Sequence, residues 1–433
     1  MKKFSVITLG CPKNQVDSEV FTGILTSHGY EFDLDGESPD IVIINTCGFI
    51  QDAIDESFAT IEHILELKRS SKVKKVVVTG CLVHRIKDKI LEKFKDVDLV
   101  VGIDEEPKLH KLIDELDSRK LVRPGLKTLK PSTWIHSSRL PRMLLTPIYA
   151  YVKVAEGCNR KCAFCVIPKM RGRYRSREIG DIVNEVEMLT RIGVEEIILI
   201  AQDLTLYGYD LYRTPQLDKL VRELNKVEGV KLIRLMYLHP GSVTKKLIDA
   251  IKESDKVAKY LHIPIQHASD RVLRLMKRAG GRKSVERAFK LVRDELPDFF
   301  IRTEAIVGFP GETREDVDEL IDFLYRYRPE RIALFPYSDE PEATSYRLPG
   351  KVPVDEITDR MAEVMVSAEE IMRGVQESLV GKEVMVIMDS ELEGRTEHDA
   401  PEIDFSVKFK KPRNGIIKAR ITGITEEGDL LGD

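Results

Sequence analysis

The six cysteines of this chain fall into two sets of three, and one set is closely spaced. Cys158, Cys162 and Cys165 form a C-x3-C-x2-C motif within EGCNRKCAFC. Such short spacings bring several thiolates to one metal centre. Three ligands on a four-iron cluster leave one iron open to a substrate or cofactor. Structural zinc needs four protein ligands, and the nearest histidines, His136 and His239, are distant in sequence. The motif therefore favours an iron–sulfur cluster over zinc or a buried group of structural thiols.

The other set of cysteines is spread over the first part of the chain, with its members about one strand–helix unit apart. Cys11 follows the apolar run FSVITLG, Cys47 follows IVIINT, and Cys81 closes KVVVTGC. The carboxyl ends of parallel strands share one edge of a sheet, so the three thiols should meet at that edge. Cysteine is often an ordinary core residue, but three in equivalent positions predict a second cluster.

The elements that position these cysteines can be read from the apolar patterns. The first 120 or so residues alternate strand and helix patterns, which predicts an open, doubly wound parallel sheet. Six further strand–helix units predict a partial TIM-type barrel, and a long helix follows it. Short strands with glycine turns at the end of the chain predict a small all-β barrel. The expected domains are 1–125, a basic and proline-bearing linker at 126–143, then 144–374 and 375–433.

Composition excludes several classes of protein. The formal net charge is -4, which argues against a protein built to coat nucleic acid. No apolar run reaches the length of about 18 residues that a membrane span needs, and the N-terminus lacks the apolar core of a signal peptide. We therefore expect a cytoplasmic protein whose thiols stay reduced and are available for metal binding or catalysis.

Several conspicuous motifs resemble those of known families. EGCNRKCAFC resembles the radical S-adenosylmethionine (SAM) signature, with Phe164 as its aromatic residue. LGCPKNQVDSE, NTCGFIQDAIDES, TGC, EGCNRKCAFCVIPKMRGRYRSR, AQDLTLYGYD, LHIPIQHASDRVL, VGFPGET and APEIDF are similar to motifs of the methylthiotransferases, in particular the RimO branch. The MiaB-like branch, which modifies a tRNA adenosine, usually has YGCQMN where this chain has LGCPKN.

The resemblance covers essentially the whole chain and implies both a fold and a reaction. The fold would be a flavodoxin-like cluster domain, a radical SAM barrel and a TRAM barrel. The enzyme would add a methylthio group to the β-carbon of an aspartate in the small-subunit ribosomal protein uS12. Its cofactors would be two 4Fe-4S clusters and SAM, and a flavodoxin or ferredoxin would supply electrons. A tRNA methylthiotransferase and a non-enzymatic electron-transfer module are the alternatives.

The resemblance also assigns roles to residues. The cluster on Cys158, Cys162 and Cys165 would cleave SAM to a 5′-deoxyadenosyl radical, and the other cluster would hold the sulfur to be inserted. The predicted SAM-binding residues lie after barrel strands or beside the cysteine motif; they are Phe164, Gln202, Gln266, Glu304, Gly308 and Gly311. Asp203 and His267 occupy similar strand-end positions; for these two, as for Gln202 and Gln266, the alternative to a role in the pocket is local hydrogen bonding within the loop. Many relatives have aspartate where this chain has Glu304, a change that keeps the charge.

Charged segments gave further expectations. From 381 to 433 the chain has eight lysines and arginines but twelve aspartates and glutamates, which suits a basic protein partner better than tRNA. We expect the most acidic stretch of this segment to contact that partner, or else merely to solubilise the tail; its acids are Glu397, Asp399, Glu402 and Asp404. The alternating arginines of RGRYRSR, from Arg171 to Arg177, predict either a solvated edge or an anion contact. Glu340 and Glu342 were expected to be solvated.

Overall fold

The structure is a computed structural model that describes residues 2–36, 39–87, 89–117, 129–146 and 148–433. The predicted boundary between residues 125 and 126 and the first residues of the predicted linker lie outside this part of the chain. The strands are β1 (Lys3–Thr8), β2 (Glu31–Phe32), β3 (Ile41–Thr46), β4 (Lys75–Gly80), β5 (Leu99–Val100), β6 (Tyr149–Lys153), β7 (Ala155–Glu156), β8 (Arg175–Ser176), β9 (Glu196–Ile200), β10 (Leu232–Leu235), β11 (Val257–His262), β12 (Phe300–Val307), β13 (Arg331–Pro336), β14 (Glu383–Met388), β15 (Glu393–Thr396), β16 (Val407–Phe409), β17 (Ile416–Ile424) and β18 (Leu430–Gly432).

The helices vary from one turn to seven turns in length. They are α1 (Pro12–Ser27), α2 (Gln51–Arg69), α3 (Cys81–Ile86), α4 (Lys89–Lys93), α5 (Leu109–Asp117), α6 (Ile167–Met170), α7 (Ile179–Arg191), α8 (Tyr209–Tyr212), α9 (Leu217–Asn225), α10 (Lys245–Lys252), α11 (Asp270–Leu275), α12 (Gly281–Glu295), α13 (Arg314–Tyr327) and α14 (Val354–Leu379). α13 begins where the sequence predicts, because Thr313 and Asp316 form a capping box at its first turn.

The N-terminal sheet is parallel and has the strand order β2-β1-β3-β4-β5. This is the flavodoxin order, so the predicted fold of this domain is confirmed. Successive residues of β3 belong to different hydrophobic cores, because Ile43 packs on one face of the sheet and Ile44 packs on the other. The two edge strands, β2 and β5, are only two residues long, and their patterns were too short to be recognised in the sequence.

The central sheet has six parallel strands in chain order, β6-β9-β10-β11-β12-β13, as expected for a partial barrel. One face packs against the helices that connect the strands. The opposite face carries Tyr151, Ile198 and Tyr260, and it packs against Val16 of α1 and Ala400 of the C-terminal domain. The N-terminal and C-terminal domains therefore both rest on the face of the sheet that the connecting helices leave open.

The C-terminal domain is a closed barrel with the order β14-β15-β16-β18-β17, so the predicted all-β barrel is confirmed. α14 leads directly into it, and the boundary predicted at residues 374/375 lies inside this helix. The sequence pattern does not reveal β15 or β18. β15 consists of one glycine and three polar residues, and β18 is only three residues long.

The acidic stretch of the tail contacts the central domain rather than solvent, so its expected role as a partner-binding surface is wrong. Asp399 is fully buried and accepts a hydrogen bond from Arg331 at 2.5 Å. Asp404 accepts one from the Tyr260 hydroxyl at 2.9 Å, and Glu397 is also partly covered. Of the four acids only Glu402 is exposed. The charge count could not show this, because their basic and phenolic partners lie far away in the sequence.

The described helices include none with the length and apolar composition that a membrane span requires.

We predict that Asp399→Ala destabilises the contact between the C-terminal barrel and the central domain. The substitution leaves the Arg331 guanidinium buried without its carboxylate, which costs about 3–5 kcal/mol. Thermal and urea unfolding of the metal-free protein should show a clear fall in midpoint. Glu426→Ala, at an exposed acid of the same barrel, is the control and should change stability by less than about 0.5 kcal/mol. Equal stability of the two variants would contradict this description of the interface.

Candidate functional site

The first cysteine triplet comes together at the carboxyl edge of the N-terminal sheet. Cys11 precedes α1, Cys47 follows β3, and Cys81 begins α3 directly after β4. The ends of the strands are aligned, because Thr46 pairs with Gly80 in the parallel register. Burial raises the pKa of the Cys47 thiol to about 11, and the neighbouring Cys11 adds to this shift. The structure thus brings together the three thiols that the sequence predicted to converge.

Two glycines and an asparagine, which the sequence analysis did not single out, shape this triplet. Gly10 has φ = +90°, and a Cβ atom there would lie 2.8 Å from the Cys47 sulfur. A Cβ on Gly80, at φ = +98°, would lie 2.5 Å from the Thr46 carbonyl oxygen. The Asn14 side chain donates to the Leu9 carbonyl at 2.8 Å, which fastens α1 to the first loop. The sequence signal that could have revealed the two glycines is their position immediately before a cysteine, in LGC and TGC.

The second triplet lies in the loop between β7 and α6, at the carboxyl end of the first barrel strand. The backbone N–H of Cys158 donates to the Gly172 carbonyl at 3.1 Å, and that of Cys165 donates to the Cys162 carbonyl at 3.2 Å. Burial raises the pKa of Cys158 to about 11 and that of Cys165 to about 12, and the neighbouring Cys162 thiol contributes to both shifts. Arg278 lies 3.7 Å from the Cys162 sulfur.

The predicted SAM-binding residues lie around the same end of the barrel, and two of them are already engaged. Gln202 donates to Glu156 at 2.5 Å, while its Oε1 atom is buried with no partner among the described residues. Glu304 lies 3.0 Å from His262 Nε2. Burial would raise the pKa of Glu304, but His262 and Arg302 outweigh it and lower that pKa to about 2. Glu156 was missed by the sequence analysis, although it stands next to the cysteine motif in VAEGC.

The remaining predicted residues show mostly packing roles. Gly308 has φ = +86°, and a Cβ atom there would lie 2.4 Å from Ile357 of α14. Gly311 has φ = +84°. Gln266 has φ = +73° and pairs with Ala305 across the sheet. Backbone conformation therefore favours glycine at both positions, and the packing of α14 requires it at Gly308. The part of these glycines and of Gln266 in SAM binding stays a prediction.

Phe164 packs at the margin of the central core. Its predicted role beside SAM likewise remains to be tested.

Two expectations about charged residues need correction. In RGRYRSR, Arg173 is exposed but Arg171 and Arg177 are buried, so the segment is not a solvated edge. Arg177 donates to Glu185 at 2.5 Å. Glu340 is also buried, not solvated, because Arg85 of the N-terminal domain forms an ion pair with it. In each case the partner is distant in sequence, so the charge pattern alone gave no sign of it.

One contact between the N-terminal and central domains links the two cysteine triplets. Cys81 packs against Val166 and Met170, which follow the second triplet. The Nε–H of Arg171 donates to the Cys81 sulfur at 3.1 Å. The next residue, Gly172, accepts the N–H of Cys158. A chain of direct contacts thus joins the first triplet to the second through Arg171 and Gly172.

Within the described residues, no group of three His, Cys, Asp or Glu side chains is arranged to hold a single metal ion. Assigning the cysteines to larger clusters therefore rests on the sulfur donors, their spacing and the family. Two surface clefts lie elsewhere, at the amino ends of the barrel strands near Lys259 and Glu397.

Comparison with known families and structures places the three domains. The model described as "Radical SAM superfamily" matches residues 152–324, "Uncharacterized protein family UPF0004" matches 3–102, and "TRAM domain" matches 380–433. Among solved structures, the radical S-adenosylmethionine methyltransferase TsrM from Kitasatospora setae aligns with a TM-score of 0.59 at 17% identity. That alignment covers 80% of this chain and 77% of TsrM, and it concerns the fold alone.

Relatives similar over their full length give a narrower assignment. Ribosomal protein uS12 methylthiotransferase RimO of Clostridioides difficile (strain 630) is 38% identical over 443 residues, covering 100% of this chain and 99% of that protein. The protein of the same name from Thermoanaerobacter sp. (strain X514) is 39% identical over 443 residues, with both chains covered completely.

The fold, the cysteine motif and the family match together define a radical SAM enzyme. The full-length relatives add that the chain belongs to the RimO family of methylthiotransferases. Membership of the radical SAM superfamily implies SAM and a 4Fe-4S cluster, and the match of the N-terminal domain is consistent with a second cluster.

We predict that Cys81 of the metal-free protein is alkylated slowly at pH 8, because burial raises its pKa to about 12. Its rate should rise about tenfold per pH unit, whereas thiols of the denatured chain, with pKa near 8.5, should level off above about pH 9.5. Protonated thiols therefore stabilise the fold below about pH 8.5, and this stabilisation is lost as pH rises toward 12. Mass spectrometry of iodoacetamide-treated protein measures the rates, and a plateau near pH 9.5 in the folded protein would contradict the prediction.

Proposed function

We propose that this enzyme attaches a methylthio group to the β-carbon of an aspartate in ribosomal protein uS12, using two 4Fe-4S clusters. The observation that carries the proposal is the contact that joins the two triplets through Arg171 and Gly172. A group held at one triplet must reach a carbon activated near the other, and reacting atoms must approach to about 3–3.5 Å. Triplets on opposite faces of the molecule would not allow this.

The donor sets suit the proposed cofactors. Each triplet offers three sulfur ligands, as in a 4Fe-4S cluster with one open iron, and the unpartnered Oε1 of Gln202 offers an acceptor for a bound cofactor. If bound, these cofactors would supply a 5′-deoxyadenosyl radical, which takes the unactivated hydrogen as 5′-deoxyadenosine, and a cluster-held sulfur, methylated by a second SAM, that replaces it. The external electron would come from a flavodoxin or ferredoxin.

The polypeptide's own contribution is to hold, orient and shield these groups. Three of the thiols are buried, since Cys47, Cys81 and Cys158 are 9%, 8% and 9% exposed. Glu156 aligns Gln202 through their hydrogen bond and also meets Lys153 Nζ at 2.7 Å. Because Glu156 and Lys153 are fully buried, these contacts hold Gln202 in one orientation at the end of the barrel.

The choice of uS12 over tRNA is supported by the relatives and by the sequence LGCPKN. The relatives' names give uS12 as their substrate. The acidity of the tail is weaker support than the sequence suggested, since Asp399 and Asp404 are neutralised by arginines of the central domain.

We predict that each cysteine triplet holds about half of the iron. Replacing Cys158, Cys162 and Cys165 by alanine should remove half and abolish SAM cleavage under reduction. Replacing Cys11, Cys47 and Cys81 should remove the other half and leave SAM cleavage intact, yet no sulfur should be transferred. Iron analysis and chromatography of the SAM products measure this. Zinc in place of iron, or a full iron content after either replacement, would refute the two-cluster assignment.

The substrate is tested separately, with the reconstituted enzyme offered small ribosomal subunits, free uS12 or bulk tRNA. We expect mass spectrometry to find one methylthio group in place of a hydrogen on an aspartate of uS12, and none on tRNA. The protein lacking the first triplet is the matched control and should modify neither. Modification of tRNA adenosine without modification of uS12 would favour the MiaB-like alternative.

A further inference from the structure

Arg171 belongs to the central domain, yet its guanidinium group is buried against the N-terminal domain. Its three nitrogen atoms face different partners. Nε donates to the Cys81 sulfur at 3.1 Å, Nη1 to Asp17 at 2.6 Å, and Nη2 to the Asn14 side-chain oxygen at 2.5 Å. Nη1 also lies 3.2 Å from Glu156. One side chain therefore joins a cysteine of the first triplet to the acids of both domains.

We propose that Arg171 is a positioning residue that the central domain supplies to the N-terminal cluster, where it sets the reduction potential. This rests on the proposed function, in which Cys81 is a cluster ligand. The potential of an iron–sulfur cluster depends on its charge, its burial and the hydrogen bonds to its sulfurs. Reduction adds a negative charge, and a buried guanidinium that donates to a ligand sulfur stabilises that charge. Arg171 therefore raises the potential.

The surrounding charges explain why the guanidinium keeps this orientation. Asp17 and Glu156 both approach Nη1, and both also pair with Lys153, which is itself fully buried. Asn14 occupies Nη2. The guanidinium group is thus held by two carboxylates at Nη1 and by an amide oxygen at Nη2. This orientation directs the Nε–H to the Cys81 sulfur. A lysine could replace the charge but not this planar set of donors.

The chain offers a matched control in Arg177. This arginine is also buried and also pairs with two carboxylates, Asp181 at 2.7 Å and Glu185 at 2.5 Å. The hydrogen bonds that the structure shows for Arg177 include none to a cysteine. A change at Arg177 therefore reports the loss of a buried arginine without the loss of a sulfur contact.

The test uses the full chain with Cys158, Cys162 and Cys165 replaced by alanine, so that only the N-terminal cluster is loaded. Redox titrations followed by electron paramagnetic resonance then give its midpoint potential. We expect Arg171→Met to lower the potential by at least 59 mV, a tenfold change in a one-electron equilibrium. Arg171→Lys should lower it less, and Arg177→Met should leave it unchanged.

The possible outcomes distinguish a failure of this inference from a failure of the proposed two-cluster function on which it rests. If the parent protein with three alanines binds no iron, the two-cluster proposal itself fails. If the cluster loads but Arg171→Met shifts the potential no more than Arg177→Met, only the role of Arg171 is overturned. Should Arg171→Met fail to fold, Arg171→Lys decides, because an unchanged potential in that variant also overturns the role.

Discussion

The arrangement of the domains depends on a group of buried charges between α1 and the first strand of the barrel. Asp17 from α1 meets Lys153 and Arg171 from the central domain, and Glu156 completes the group. Burying charges costs several kcal/mol per ion unless each has a partner in good geometry. Here every member has an opposite charge within 3.2 Å. A rotation or shift of one domain would leave several of these charges buried and unpaired, so the group restricts the domains to one relative position.

This constraint explains why the two cysteine triplets can belong to one site. Each triplet is formed locally, the first by aligned strand ends and the second by a short loop. Neither local structure determines where the other triplet lies. Arg171 and Lys153 connect them because both are fixed in the central domain and both pair with Asp17 of the N-terminal domain. The same polar contact that orients the domains thus also encloses the site and places a hydrogen-bond donor on the Cys81 sulfur.

The C-terminal barrel is attached by the same kind of interaction. Arg395 of the barrel pairs with Glu196 at the start of β9, and Asp399 pairs with Arg331 at the start of β13. Because these partners lie at the amino ends of the central strands, the barrel docks away from the cysteines, which lie after the carboxyl ends. Ion pairs whose members come from different domains therefore define both interfaces, on opposite ends of one sheet.

The sequence by itself determined the local structure and the type of chemistry. Apolar runs defined the strands, their alternation with helical patterns predicted the two parallel sheets, and the cysteine spacing together with the resembling motifs predicted the class of enzyme. These features depend on residues near each other in the chain, or on the repeated position of a cysteine after a strand.

Only the tertiary structure decided which charged residues are buried and what they contact. The sequence suggested a solvated or anion-binding role for Arg171, a partner-binding role for Asp399 and solvation for Glu340, yet all three are buried in contacts between domains. A charged residue can be buried only where partners in the folded protein compensate for the loss of water. Its partner can lie hundreds of residues away, and the local pattern carries no information about that distance.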